Sequence, residues 1–147
     1  MLKMTFWNAP RFGFEILDPS INSKLDSFVA DERLEKGYSL REGLISIAVI
    51  AEFSEIPITV EFDRYGFEPV DEAKWDRIVE VPISLKGQFL VFDDMDEFGR
   101  LELWPGNFRV RIYYGGQNTR QIDGSSNDYY LIQIWPSKDK EEKIIKS

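Results

Sequence analysis

The sequence predicts an all-β fold, an antiparallel β-sandwich of seven or eight strands with at most one short helix. From Gly37 onward, apolar residues recur with a period of two instead of the three-to-four spacing of a helix. Clusters of Gly, Pro, Asp and Ser interrupt that alternation at short intervals, as turns between strands do. The stretches between the breaks are rich in β-branched and aromatic residues, which fit a pleated, half-buried surface. A closed barrel of the same strands is the competing architecture.

Residues 12–17 are the first strand, closed by Asp18-Pro19-Ser20. The next stretch holds the one helix the pattern supports, short, with Asp31 as its cap, Glu35 and Lys36 in its last turn and Gly37 as its stop. Residues 44–52 are almost continuously apolar, as in a strand covered on both faces. Ile58, Val60 and Phe62 then alternate with Thr59, Glu61 and Asp63, a strand with its acidic side in water. A long acidic connection follows over 64–76. Residues 78–84 and 88–92 read as a hairpin across Leu85-Lys86-Gly87, and the acids from Asp93 to Glu97 interrupt the pattern. Residues 101–104 and 108–114 flank Pro105-Gly106, a type II turn signal that splays strands and so suits a corner between two sheets. Residues 129–135 are the last strand, ended by Pro136.

The chain has 147 residues, the size of one domain. Residues 1–137 are expected to form it, with a charged tail, 138–147, expected to fray. Cysteine and histidine are both absent. This excludes disulfides, thiolate and imidazole metal sites, and every His-dependent triad built from this chain alone. The net charge of −8 is concentrated: residues 52–105 hold 14 Asp/Glu and 5 Lys/Arg, or −9, and the remainder sums to +1. A surface of this sign repels nucleic acid and anionic membrane and attracts a basic protein. No apolar run approaches the ~20 residues of a membrane helix, residues 1–10 lack a leader-like apolar stretch, and the expected compartment is the cytoplasm.

Asp93-Asp94-Met95-Asp96-Glu97 is the densest carboxylate cluster. Aligned from Asp94 on a calcium loop, it puts Phe98 at the fifth position and Pro105 at the twelfth, where oxygen ligands are required. No metal and no cofactor is expected. Glu61/Asp63 and Glu80/Glu102 are carboxylate pairs that an acid/base enzyme would need facing each other, one of them protonated near neutrality. Arg109 and Arg111 share a strand face, expected in solvent and paired with Glu102. The polar stretch 115–127 is a long loop of the kind that carries binding in sandwiches.

Three segments, taken in order, carry a family resemblance. They are Glu35-Lys36-Gly37-Tyr38 ahead of Gly43-Leu44-Ile45-Ser46-Ile47; Leu103-Trp104-Pro105-Gly106-Asn107-Phe108-Arg109-Val110-Arg111; and Asp128-Tyr129-Tyr130-Leu131-Ile132-Gln133-Ile134-Trp135-Pro136. The ordering resembles a broad group of small bacterial β-sandwich proteins, mostly uncharacterised, that includes the competence protein J (DNA-entry nuclease inhibitor) family. Phe108 stands where that family has tyrosine, and no binding residue carries over position by position. The resemblance implies a non-enzymatic inhibitor, or an immunity protein for a basic nuclease or toxin, and agrees with the charge. On this reading the partner surface holds Glu61, Asp63, Tyr65, Glu68, Asp71, Glu72, Trp75, Asp93, Asp94, Asp96 and Glu97, and it requires the acids of 61–76 and 93–97 on one contiguous face. The alternative is a small-ligand or carbohydrate-binding sandwich using the 115–127 loop, which requires a cavity of ~300 Å³ or more with aromatic and polar groups converging. Monomer and edge-paired dimer are both compatible with the strands.

Overall fold

Ile56, Ile58 and Val60 are buried on β5 (Ile56–Phe62) while Pro57, Thr59 and Glu61 between them are not, the alternation of a strand with one face on a core. The same rule organises the computed structural model, which describes residues 1–21, 33, 35–69 and 71–147. Among the described residues the other strands are β1 (Leu2–Asn8), β2 (Gly13–Leu17), β3 (Tyr38–Arg41), β4 (Leu44–Ala48), β6 (Arg77–Leu85), β7 (Phe89–Asp94), β8 (Asp96–Glu102), β9 (Gly106–Gly115), β10 (Tyr129–Pro136) and β11 (Lys143–Lys146). They form a six-stranded sheet in the order β1-β5-β10-β9-β6-β11 and a five-stranded sheet in the order β3-β4-β2-β7-β8. The two inner faces meet in one core that includes Phe14, Ile16, Ile45, Ile47 and Phe92 from the smaller sheet and Ile58, Val81, Val110 and Ile132 from the larger. The fold is an all-β sandwich, as the sequence predicts, with eleven strands among the described residues in place of seven or eight.

The extra strands have physical reasons. In β1, Met4 and Phe6 pack against the core while Lys3, Thr5 and Trp7 face out, a short period-two pattern at the chain's start. The tail expected to fray instead supplies β11, which pairs with β6 at Lys143↔Glu80 and Ile144↔Val79. The acids expected to interrupt the pattern form the turn of the β7–β8 hairpin, with Met95 between them at φ 64. β10 runs parallel to β5 and antiparallel to β9, so the larger sheet is mixed.

The β6–β7 hairpin is not formed: β6 pairs with β9 and β7 with β2, in different sheets. The link at Lys86 and Gly87 crosses between the layers instead. Pro105 and Gly106 do join different sheets, β8 to β9, but Gly106 is already the first paired residue of β9, opposite Leu85, and not the centre of a turn. Asp31 lies outside the described residues; Arg33, Glu35 and Lys36 are helical, and Gly37 ends the turn at φ 87 with its N–H donating to the Arg33 carbonyl at 2.8 Å.

Asp18 holds the crossover in place. It is fully buried; Oδ2 accepts from the Lys86 and Gly87 N–H groups at 2.7 and 3.2 Å, and Oδ1 accepts from the N–H and hydroxyl of Ser20 at 2.9 and 2.7 Å. Burial opposes its charge, yet these four donors hold its carboxyl below the usual range. Because the folded-state value is the lower one, the stabilisation is present above the unfolded value near ~4 and disappears as pH falls through the folded value. Asp18→Ala is expected to cost about 3 kcal/mol at pH 7 by thermal unfolding, and much less below pH ~3.

Candidate protein-binding surface

The predicted site residues fall into two groups on different sheets. Leu2↔Phe62 and Asn8↔Ile56 mark opposite ends of the larger sheet, roughly 20 Å apart along β1. Asp63 and Tyr65 sit just past Phe62 at the first end. The connection then runs across the outer face of the larger sheet: Gly66 and Phe67 lie on Trp135, and Trp75 packs on Tyr113 and Tyr129 with ring centroids 5.2 and 5.5 Å away. Phe67 and Trp75 thus anchor their own connection. Asp63 accepts from the Tyr65 N–H, and Asp71 accepts from the Ala73 N–H at the start of a single 3-10 turn, Glu72–Lys74. Glu68 and Glu72 are exposed, and Tyr65 is 93% exposed. Glu61 faces outward from β5, where it accepts from the Gln133 amide at 2.9 Å and lies 3.8 Å from the Lys3 ammonium.

Asp93, Asp94, Asp96 and Glu97 are at the other end. The Arg11 backbone and the Asn8 side chain lie close enough to Asp94 to favour its charge, which places the β7–β8 turn beside the β1–β2 link. Arg11 stacks on Phe53, 5.5 Å from its ring, and Arg120 bridges to Glu52 at 2.9 Å while stacking on Phe12. The Ser54 hydroxyl accepts from the Ser126 N–H, and the buried Asp128 accepts from the Ala51 N–H and from the hydroxyls of Ser126 and Tyr130. Four loops, 8–12, 49–55, 93–97 and 116–128, are thereby tied into one end of the sandwich. The acids from 61 to 72 and the acidic turn do not meet on one face; Asp76 alone reaches this end, accepting from the Gln117 N–H at 2.9 Å.

This braced end presents three apolar side chains on three different loops: Phe53 (65% exposed), Met95 (98%) and Ile122 (fully exposed). Met95 and Phe12 are the two non-glycine residues with positive φ among the described residues, and both belong to this end. The same loops carry Glu52, Glu55, Asp94, Asp96, Glu97 and Asp123, with Arg11 and Arg120 as their cations and Arg100 on the adjoining β8. The sequence signal for Phe53, Met95 and Ile122 was a lone apolar residue inside an otherwise polar turn, and strand-period reading passes over it. The 115–127 loop spends polar groups on itself and on its neighbours: Thr119 Oγ1 bonds the Gly116 carbonyl and the Asn127 N–H, while the Gln117 N–H donates to Asp76 and its amide bonds the Tyr130 hydroxyl.

Carboxylates crowd behind the acidic turn. Glu15 pairs in register with Asp93. Burial raises the Glu15 carboxyl; Arg33, 3.5 Å away, opposes this and Asp93 and Asp94 add to it. Burial, then Asp96 and Glu97, raise Asp93, whose Oδ1 is buried without a hydrogen-bond partner. A folded-state value above the unfolded one means that protonation favours the folded chain and stability is lost as pH rises through it. Asp93→Asn is therefore expected to raise the melting temperature by a few degrees at pH 7, with the gain vanishing below pH ~4. The other carboxylate pairs do not face each other: Glu80 is on β6 and Glu102 on β8, in different sheets, and Glu61 is engaged with Gln133. Arg109 and Arg111, expected in solvent with Glu102, instead share Glu80, each Nε 3.1 Å from one carboxylate oxygen, and Arg109 is 1% exposed because the tail folds over it.

No family model matches the chain, and no curated protein matches it. Among solved structures it is similar to ComJ, an inhibitor of the DNA degrading activity of NucA, from Bacillus subtilis, with a TM-score of 0.68 at 16% identity over 93% of this chain and 96% of that chain. Over 93% of its length, this chain has the fold of ComJ.

Proposed function

We propose that this protein is a non-enzymatic, cytoplasmic inhibitor or immunity protein that binds a basic nuclease or toxin, and that the contact is made by the end of the sandwich carrying Asp93, Asp94, Asp96 and Glu97. The observation that carries the reading is the fold shared, nearly end to end, with a protein whose role is nuclease inhibition. The surface supports it. A nuclease cleft must attract a polyanion, so its inhibitor gains encounter rate and specificity from fixed carboxylates of opposite sign. Carboxylates alone give little net affinity after desolvation; well-placed apolar anchors supply the rest. Phe53, Met95 and Ile122 are such anchors, carried together with acids on loops that hydrogen bonds and ion pairs tie to one another, so little ordering entropy is lost on binding.

Glu61, Asp63, Tyr65, Glu68, Asp71, Glu72 and Trp75 lie off this end and are not part of the proposed contact. The test is capture from native cell lysate at ~0.1 and ~0.5 M salt, followed by a DNA-degradation assay on the eluate. The expected result is a basic protein held at low salt and released at high salt, whose DNA-degrading activity falls when the chain is added back. An eluate free of basic proteins, or a captured protein without activity that the chain suppresses, would overturn the reading.

A further inference from the structure

The outer face of the larger sheet is covered unevenly. Over β9 and β6 lie the 63–76 connection and the tail; over β1, β5 and the near side of β10 the face is open. Sheet register puts three rows of outward residues there: Lys3, Glu61 and Gln133; then Thr5, Thr59 and Leu131; then Trp7 and Pro57, with Tyr129 one residue before the Tyr130↔Ile58 pair. A trough of about 380 Å³ follows these rows, with Trp75 and Tyr129 as its wall and Lys3, Thr59 and Glu61 as the polar groups of a floor that also holds Pro57 and Leu131. Trp7, 60% exposed on the edge strand, stands in register with Pro57, which lines the trough.

The side chains are of two kinds, and both keep capacity. Trp75 and Tyr129 are each partly open above the floor, and Tyr129 is 41% exposed. Lys3 is 61% exposed and only 3.8 Å from Glu61, which leaves ammonium protons free. The Thr59 hydroxyl on the floor shares one hydrogen bond with Thr5 at 3.2 Å and keeps further hydrogen-bonding capacity. Lys3 and Glu61 cancel, so the floor is neutral within a chain of net charge −8.

We infer that this trough is a binding site for a neutral saccharide, separate from the proposed inhibitory contact. A pyranose has an apolar C–H face, which packs on an aromatic ring, and a rim of hydroxyls, which carboxylate, amide, ammonium and hydroxyl groups satisfy in donor–acceptor pairs. Aromatic wall, polar floor, zero local charge and a volume above ~300 Å³ are the four properties such a ligand needs. An anionic ligand would find its one cation already balanced by Glu61.

The test uses the intact chain and a panel of neutral tetrasaccharides (cellotetraose, maltotetraose and chitotetraose), with tryptophan fluorescence and NMR shifts read up to ~10 mM. At least one is expected to bind saturably. Trp75→Ala and Trp7→Ala should each weaken it about tenfold and Glu61→Gln a few-fold, while Met95→Ser leaves it unchanged. Trp75 also anchors its connection, so Trp7→Ala, on an exposed edge strand, is the deciding variant. The inference is overturned if no tetrasaccharide saturates, or if binding survives both Trp7→Ala and Glu61→Gln. It is overturned equally if these two variants abolish nuclease inhibition, since the face would then belong to a protein contact.

Discussion

Replacing Asp94, Asp96 and Glu97 by Asn, Asn and Gln, together with Met95→Ser, is expected to weaken binding of the nuclease partner by about a hundredfold or more. The two parts of the variant act on different rates. Removing three carboxylates lowers the association rate and flattens its salt dependence, because steering of a basic partner is lost. Removing the Met95 side chain raises the dissociation rate, because a desolvated apolar anchor at the centre of a contact resists separation more than rim charges do. Surface plasmon resonance at two ionic strengths separates these effects. Folding should be spared: Asp96 and Met95 are exposed at the turn, and the pair of hydrogen bonds from Arg100 to Glu97, at 2.8 and 2.6 Å, is a surface contact of small net worth. A control variant carrying Asn or Gln at Asp63, Glu68 and Glu72, at the far end and over the outer face, should bind as the unchanged chain does.

Glu80→Ala is expected to cost about 3–5 kcal/mol of stability, a large share of the roughly 5–15 kcal/mol a domain has. Glu80 holds two guanidinium groups at 3.1 Å, and Arg109 is almost wholly buried. Arg109 also donates to the Asp139 and Glu141 carbonyls, so this ion pair fastens the tail across the sheet. Without Glu80 the guanidinium keeps its desolvation and loses its partner. The melting temperature should drop by about 10 °C, given 2–4 °C per kcal/mol at this size. Limited proteolysis should cut within 138–147 before global unfolding, since β11 loses its strand partner's side chain at Lys143↔Glu80. A triple variant with Glu80, Arg109 and Arg111 all replaced by Leu or Met should recover much of the loss, because no uncompensated charge is then left behind.

What the sequence reveals and what it conceals follow from the range of the interactions. Period-two patterns in 56–62, 77–85, 106–115 and 129–136 are local, and each becomes a strand close to the expected bounds. Strand partnership is not local. Leu85-Lys86-Gly87 looks like a hairpin turn, but it is pinned by Asp18, 68 residues away, and crosses between sheets. Arg109 alternates with Val110 like any solvent-facing residue, and only the folded tail buries it. The tail itself reads as charged and alternating because one of its faces meets a buried ion pair where a core strand would meet apolar side chains. The acidic excess is visible in composition, but composition carries no direction. The link from Glu61 to Asp94 passes through two strands and a change of sheet, which separates charges that are near in sequence.

The most direct test of the central claim is hydrogen–deuterium exchange on the intact chain, free and bound to the nuclease recovered from lysate. Protection is expected in 51–55, 93–97 and 117–127, the three loops bearing Phe53, Met95 and Ile122, with 63–75 unchanged. Protection confined to 63–75, or spread evenly without these loops, would contradict a contact at this end of the sandwich.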